Sequence, residues 1–203
     1  ASYGPRETLA ALRGREELLL KTIRLLVEIE SPSDDKAAVD RCVDAVAGMA
    51  GTMGGRAKRH RQRSVGDVLE VRWAGSARGL EPVMLLGHLD TVWAMGTLRA
   101  MPWRIAQGRA WGPGVLDMKA GVAMALTAVE RLRETGALRR PVVLLLTSDE
   151  EVGSAASRAI VEKLARACAA VFVLEPAQGL NGAYKTARKG VGDYTVRVKG
   201  VAS

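Results

Sequence analysis

The apolar residues of this chain change their spacing repeatedly along its length, and the changes lay out an alternation of helices and strands. From about Arg6 to Glu30, Leu9, Leu12, Leu19, Ile23 and Leu26 fall close to helical spacing and predict one amphipathic helix. The run SPSDD (31–35) breaks it and offers caps for a second helix, whose apolar stripe is Val39, Val43, Val46 and Ala50 and which ends in GTMGG. Strands are expected at about 56–61, 68–73 and 83–86, and Trp103–Ala106 with Arg109–Trp111 read as a short hairpin. A helix from about Met118 to Glu134 carries Val122, Leu126, Val129 and Leu132. VVLLLT (142–147), introduced by Pro141, is an unbroken apolar run suited to a central strand covered on both faces. A further helix is expected over Ser154–Cys168 with Ser154 as its N-cap, followed by a buried strand in AVFVLEP (170–176).

This order of strand, helix, strand, helix, strand argues for a layered α/β/α domain with a mostly parallel central sheet. The tail differs. DYTVRVKGV (193–201) alternates polar and apolar with period two, as a half-exposed antiparallel strand does. A lone strand needs partners, so it reads as the first strand of a second domain. The expected division is a catalytic-type domain over 1–189 and the start of another over 190–203.

With 203 residues, 48% of them hydrophobic and 26% charged, the chain can bury one sizeable core. No apolar run approaches the roughly 20 residues of a membrane helix. Cys42 and Cys168 have no zinc-ribbon or redox spacing and read as small buried apolar residues. The net charge of +8 raises nucleic acid as a partner, but five of the basic residues lie in RAKRHRQR (56–63), and without them +3 remains. No aromatic residue interrupts that run to stack on bases. Both faces of a strand there would be polar or basic, which fits an exposed sheet edge protected against aggregation. His60 shares that reading. Neither nucleic acid nor membrane is expected as a partner.

Chemistry gathers where the apolar strands end. In open α/β sheets ligands bind outside the carboxyl ends of the strands. After VMLLG come His88 and Asp90; after VVLLLTS come Asp149, Glu150 and Glu151; after AVFVL comes Glu175. The glycine-rich loop WGPGVLDMKAG (111–121) places Asp117 at the start of a helix. Taken singly, these are ordinary: a structural histidine, an N-cap, a solvated acidic loop. Together, several carboxylates on one rim repel each other unless a cation compensates, and an imidazole among them fits zinc or a similar divalent ion. Residues two apart on an extended segment point the same way, so Asp90 can reach the ring nitrogen of His88 that does not face a metal. Glu150 and Glu151 are adjacent and point differently, so one can bind metal while the other stays free to take a proton. There is no GxSxG elbow for a serine hydrolase, and GPGVLD lacks the Gly-Lys-Ser/Thr ending of a phosphate loop.

GHLDTVW, GPGVLDMKAG, TSDEEVGS and VLEPA, in this order, resemble the co-catalytic zinc exopeptidase and deacylase family, which includes glutamate carboxypeptidase, acetylornithine deacetylase, succinyl-diaminopimelate desuccinylase and aminoacylase. DTVWAMGTLRAMPWRIAQGRAWGPG is most similar to the glutamate carboxypeptidase branch. The resemblance implies two Zn2+ ions, with Co2+ or Mn2+ as substitutes. It implies that Asp117 is shared between them, that His88 and Glu175 complete the protein ligands of one, and that Glu151 binds the other. Asp90 would brace His88 and Glu150 would be the general base. A cis bond is implied between Asp117 and Met118.

The same resemblance implies a metal-dependent amidohydrolase or exopeptidase that releases an amino acid from a small peptide or N-acyl amino acid. The family's last ligand of the second metal is a histidine from the C-terminal part of the catalytic domain, and no residue here matches it. The chain therefore resembles an N-terminal half, cut at the start of a lid domain that makes the homodimer, and by itself is expected to be weakly active or inactive. The competing readings are a non-catalytic, metal-binding or receptor-like relative and a basic nucleic-acid module. Retention of Glu150 and Asp90 argues against the first, and the absence of interleaved aromatics against the second. The first residues, ASYGPRETLA, carry no basic-then-apolar signal, so a cytoplasmic location is expected, or a periplasmic or secreted one if a signal has been removed.

Overall fold

The alternation is realised in the computed structural model, which describes residues 5–179, 181–187, 189–190, 192 and 194–201. In chain order the elements are α1 (Pro5–Arg13), α2 (Glu16–Glu28), α3 (Lys36–Thr52), β1 (Arg56–His60), β2 (Val68–Trp73), β3 (Val83–His88), α4 (Thr97–Ala100), β4 (Arg104–Ala106), β5 (Arg109–Trp111), α5 (Ala120–Glu134), β6 (Val142–Thr147), α6 (Arg158–Ala165) and β7 (Ala170–Val173). One sheet has the order β1-β2-β6-β3-β7, and β4 pairs with β5 in a separate hairpin. β3 pairs in parallel with both β6 and β7, while β2 runs antiparallel to β6 and to β1. Only β2 opposes the direction of its sheet.

The apolar run of β6 explains its central place. Successive side chains face opposite layers. Val142, Leu144 and Leu146 join the core made with α2, α3 and α5, whereas Val143 and Leu145 join Val68 and Met84 beneath Ile160, Val161 and Leu164 of α6. Full burial of one such side chain contributes about 1.5–3 kcal/mol, so a strand packed on both faces is held strongly. α3 begins as its sequence suggests, with the Asp35 carboxylate accepting from the Ala38 N–H.

Four expectations need correction. The single helix over 6–30 is two helices. Gly14 and Arg15 interrupt it, and Arg15 turns to donate to Glu130 Oε2 at 3.0 Å and to pair with Glu134. The helix expected from Ser154 starts only at Arg158, because the Ala156 and Ser157 N–H groups turn back to Asp149 Oδ2 at 2.7 and 3.2 Å. It also ends before Cys168, which is half-buried, while Cys42 is fully buried. β7 is apolar but exposed, with Phe172 58% and Val173 60% accessible, since it forms the sheet edge and packs against no described strand on its outer side. Finally, residues 194–201 form no strand, and Val196 and Val198 are exposed. A period-two segment becomes a strand only when a neighbour takes its backbone hydrogen bonds, and no described strand pairs with it. Position 193 of that expected strand lies outside the described residues.

The basic run forms the opposite edge, β1, and much of its charge is locally answered. Arg59 pairs with Asp44 and Asp67, Arg61 Nη1 lies 3.1 Å from Asp67 Oδ2, and His60 Nε2 lies 2.7 Å from Glu70 Oε2. Among the described residues no helix is long and apolar enough to cross a membrane.

Candidate metal centre

Strand register brings the polar residues together. β3 and β6 pair in parallel up to His88 opposite Thr147, so Glu150 and Glu151 leave the end of β6 beside His88. β3 and β7 pair up to Leu86 opposite Val173, and the Leu174 N–H continues the ladder to Leu86 O at 2.9 Å. Two residues beyond that pair, Glu175 arrives next to His88. Asp117 comes from the other side, in a π-type turn (Val115–Lys119) that leads into α5, and the Asp117–Met118 bond is cis.

Two glycines permit this crowding. A Cβ on Gly87 would meet Met118 Cε at 2.8 Å, and one on Gly121 would lie 2.2 Å from the Leu174 carbonyl oxygen. The first bears on Met118, whose Sδ accepts from the His88 N–H at 3.3 Å. The second lets the start of α5 touch the backbone just before Glu175.

The imidazole is the floor of the site. His88 is 1% exposed, whereas the side chains of Asp117 and Glu150 are 54% and 44% exposed. His88 Nε2 lies 3.1 Å from Asp117 Oδ1, 3.4 Å from Glu175 Oε1 and 3.9 Å from Glu150 Oε2. Ligand atoms of His88, Asp117 and Glu151 lie within 4.8 Å of one another, and so do those of His88, Glu150 and Glu175. A cavity of about 350 Å³ opens beside them, bordered by Thr147, Ser154 and Arg158.

The other ring nitrogen, Nδ1, has the Asp90 backbone carbonyl at 2.9 Å and the Asp90 carboxylate at 3.5 Å. The carboxylate of Asp90 is engaged elsewhere as well. Its Oδ2 accepts from Ser33 Oγ at 2.7 Å and from the Glu151 N–H at 3.2 Å, and its Oδ1 from the Glu150 N–H at 3.3 Å. Asp90 thus both faces the ring and clamps the loop that carries Glu150 and Glu151. No local pattern announces that second task, nor the role of Ser33, which lies in the stretch read as a helix break and a source of caps for the next helix.

Electrostatics describe an acidic cluster in need of a cation. Burial raises the pKa of Glu150, and Glu175, Asp90 and Asp117 raise it further against the opposing His88. Burial and Asp117 likewise raise Glu151. For His88, burial disfavours the charged ring, but contacts with Asp90 and Glu175 outweigh it and push the pKa up to about 11. The imidazolium therefore acts as the compensating positive charge. Imidazole nitrogen with several carboxylate oxygens in one small space is a donor set that a divalent cation fits, in place of that proton.

Residues 84–199 match Peptidase family M20/M25/M40. Carboxypeptidase G2 of Pseudomonas sp. (strain RS-16) is 28% identical over 196 residues, covering 95% of this chain and 47% of its own. A succinyl-diaminopimelate desuccinylase of Thiobacillus denitrificans is 30% identical over 203 residues, covering 91% and 49%. The fold is similar to that of an M20 family metallo-carboxypeptidase from Sulfolobus solfataricus, with a TM-score of 0.69 at 18% identity over 81% of this chain and 38% of that one. The chain spans about half the length of the curated relatives it matches. It belongs to peptidase family M20/M25/M40.

Proposed function

We propose that the protein is a metal-dependent amidohydrolase or exopeptidase that releases an amino acid from a small peptide or an N-acyl amino acid. The observation that carries this reading is the approach of Asp117, Glu175 and Glu150 to within 3.1–3.9 Å of His88 Nε2 at the carboxyl ends of three parallel strands. The relatives' names, a carboxypeptidase and a desuccinylase, support amide cleavage next to an amino acid.

In this reading His88, Glu175, Asp117 and Glu151 would hold the two zinc ions, His88 and Glu175 serving one, Glu151 the other and Asp117 both; Co2+ or Mn2+ would suit the same donors. Bound metal supplies Lewis acidity that polarises the scissile carbonyl and lowers the pKa of water. Glu150 takes the proton of the attacking water and returns it to the leaving amine, a role favoured by its raised pKa. Asp90 orients His88 and fixes the backbone of Glu150 and Glu151. A different assignment has one observation in its favour: Glu150 also falls in a ligand group with His88 and Glu175. As a ligand it would leave the site without its base.

We also propose that residues 190–203 begin a lid domain through which the whole protein forms a homodimer, and that the 203-residue chain alone turns over weakly. The test is amino-acid release by the full-length protein from a panel of N-acyl and C-terminal glutamate, ornithine, diaminopimelate and neutral amino acids, with and without a zinc chelator. Chelator-sensitive release is expected. No release from folded, zinc-loaded protein overturns the hydrolase and favours a binding role.

A further inference from the structure

The loops of Asp90 and Asp117 are both tied to a segment that takes no part in the chemistry above. Residues 29–33, Ile-Glu-Ser-Pro-Ser, lie between α2 and α3, and Ile29, Ser31, Pro32 and Ser33 each contact one of those two loops. The Ile29 carbonyl accepts from Lys119 Nζ at 2.6 Å. The Glu30 carboxylate accepts from the Gly96 and Leu98 N–H groups, both at 2.9 Å. Ser31 Oγ donates to Leu89 O at 2.7 Å, and the Ser31 carbonyl accepts from the Thr91 N–H at 2.9 Å. Pro32 forms a parallel bridge with Thr91. Ser33 Oγ donates to Asp90 Oδ2 at 2.7 Å, and its N–H to Thr91 O at 3.2 Å.

Lys119 is the unexpected member. It is 1% exposed and faces Glu30 and Cys42. A buried ammonium costs more than an apolar side chain of equal length, so packing alone does not account for it. Its backbone N–H closes the turn on Gly114 O at 3.0 Å, with Asp117 between them, while its side chain fastens that turn to Ile29. Two loops from opposite ends of the site are thereby referred to one short piece of chain. Outer partners of this kind fix the orientation of ligating groups.

We propose that residues 29–33 form a positioning strap for the metal centre, in which Lys119 and Ser33 are positioning residues that hold Asp117 and Asp90 in place about His88. The inference rests on the metal reading above and concerns residues outside the ligand set.

Cobalt(II) is the probe, because its visible spectrum reports ligand geometry. Lys119→Met keeps an unbranched chain one atom shorter and removes the donor and charge; Ser33→Ala removes only a hydroxyl. In the full-length protein each is expected to raise the apparent cobalt dissociation constant about tenfold or more and to alter the cobalt spectrum. Ser33→Thr is expected to restore both. Val46→Ala, in the α3 core, should lower the melting temperature yet leave cobalt affinity and spectrum unchanged. The strap is overturned if the folded Lys119→Met and Ser33→Ala proteins bind cobalt like wild type, or if Val46→Ala weakens binding as much as they do. Should Lys119→Met not fold, Ser33→Ala and its threonine rescue decide. Wild-type protein that binds no cobalt sinks the metal reading and the strap together, whereas wild-type binding with unaffected variants sinks the strap alone.

Discussion

His88 Nε2 stands 3.1 Å from Asp117 Oδ1, a contact between the end of β3 and a turn 29 residues further along the chain. The ring is buried and the carboxylate half-exposed, so the contact joins the floor of the site to its open rim. Protonation of the ring and ligation of a metal by it exclude each other, and that competition has consequences that can be measured.

The first concerns pH. The His88 pKa lies near 11 in the folded protein against an ordinary 6.5, because contacts with Asp90 and Glu175 overcome burial. A pKa raised on folding gives stability that is complete below the unfolded value and lost as pH rises through the folded one. Metal-free protein is therefore expected to lose thermal stability between about pH 6.5 and 11. Metal binding needs a neutral ring, so it expels a proton and its affinity climbs with pH over the same window. Melting curves and zinc titrations across that range check both; a zinc affinity independent of pH contradicts the account.

Glu150→Gln separates a base from a ligand. Loss of a general base is expected to reduce turnover about 10²–10⁴-fold while zinc binding persists. Parallel assays of turnover and zinc content check this. If zinc is lost as well, Glu150 belongs to the ligand group with His88 and Glu175.

Gly121→Ala probes the approach of α5 to the exit of β7. The new methyl would lie 2.2 Å from the Leu174 carbonyl oxygen, a backbone atom that cannot rotate away. Overpacking of this kind costs about 1–3 kcal/mol, read by urea denaturation. Since Leu174 precedes Glu175, weaker metal binding should accompany the loss.

Asp67→Ala tests the acidic knot beside the basic edge. Asp67 is fully buried and accepts from Lys36 Nζ at 2.8 Å and from the Gln62 N–H at 3.0 Å. The partners are partly exposed, so the expected cost is about 1–3 kcal/mol, not that of a fully buried pair. Burial opposes its charge, but Lys36 and Gln62 outweigh burial and lower its pKa below the ordinary 3.8. Its stabilisation is therefore present above that value and lost as pH falls further, and acid denaturation of the variant should lack this component.

The central strands were legible because their signal is local. β6 is an apolar run with no alternative use, and the residues closing β3, β6 and β7 follow directly from where such runs stop. The supports were not legible because their signal is distant. Lys119 looks like an ordinary charged residue at a helix start until Ile29 is seen against it, and Ser33 looks like a helix cap until Asp90 is placed beside it. The late start of α6 has the same origin: local spacing favours a helix from Ser154, but Asp149 captures the N–H groups of Ala156 and Ser157 first. β7 reads as buried because its residues are apolar, yet composition cannot tell a central strand from an edge.

The most direct measurement is the metal content of full-length protein after loading with zinc and exhaustive dialysis, beside His88→Ala and Asp117→Asn. The account predicts that the wild type retains zinc, and that both variants lose most of it while keeping their circular dichroism. Folded wild-type protein that retains no zinc, cobalt or manganese would contradict it.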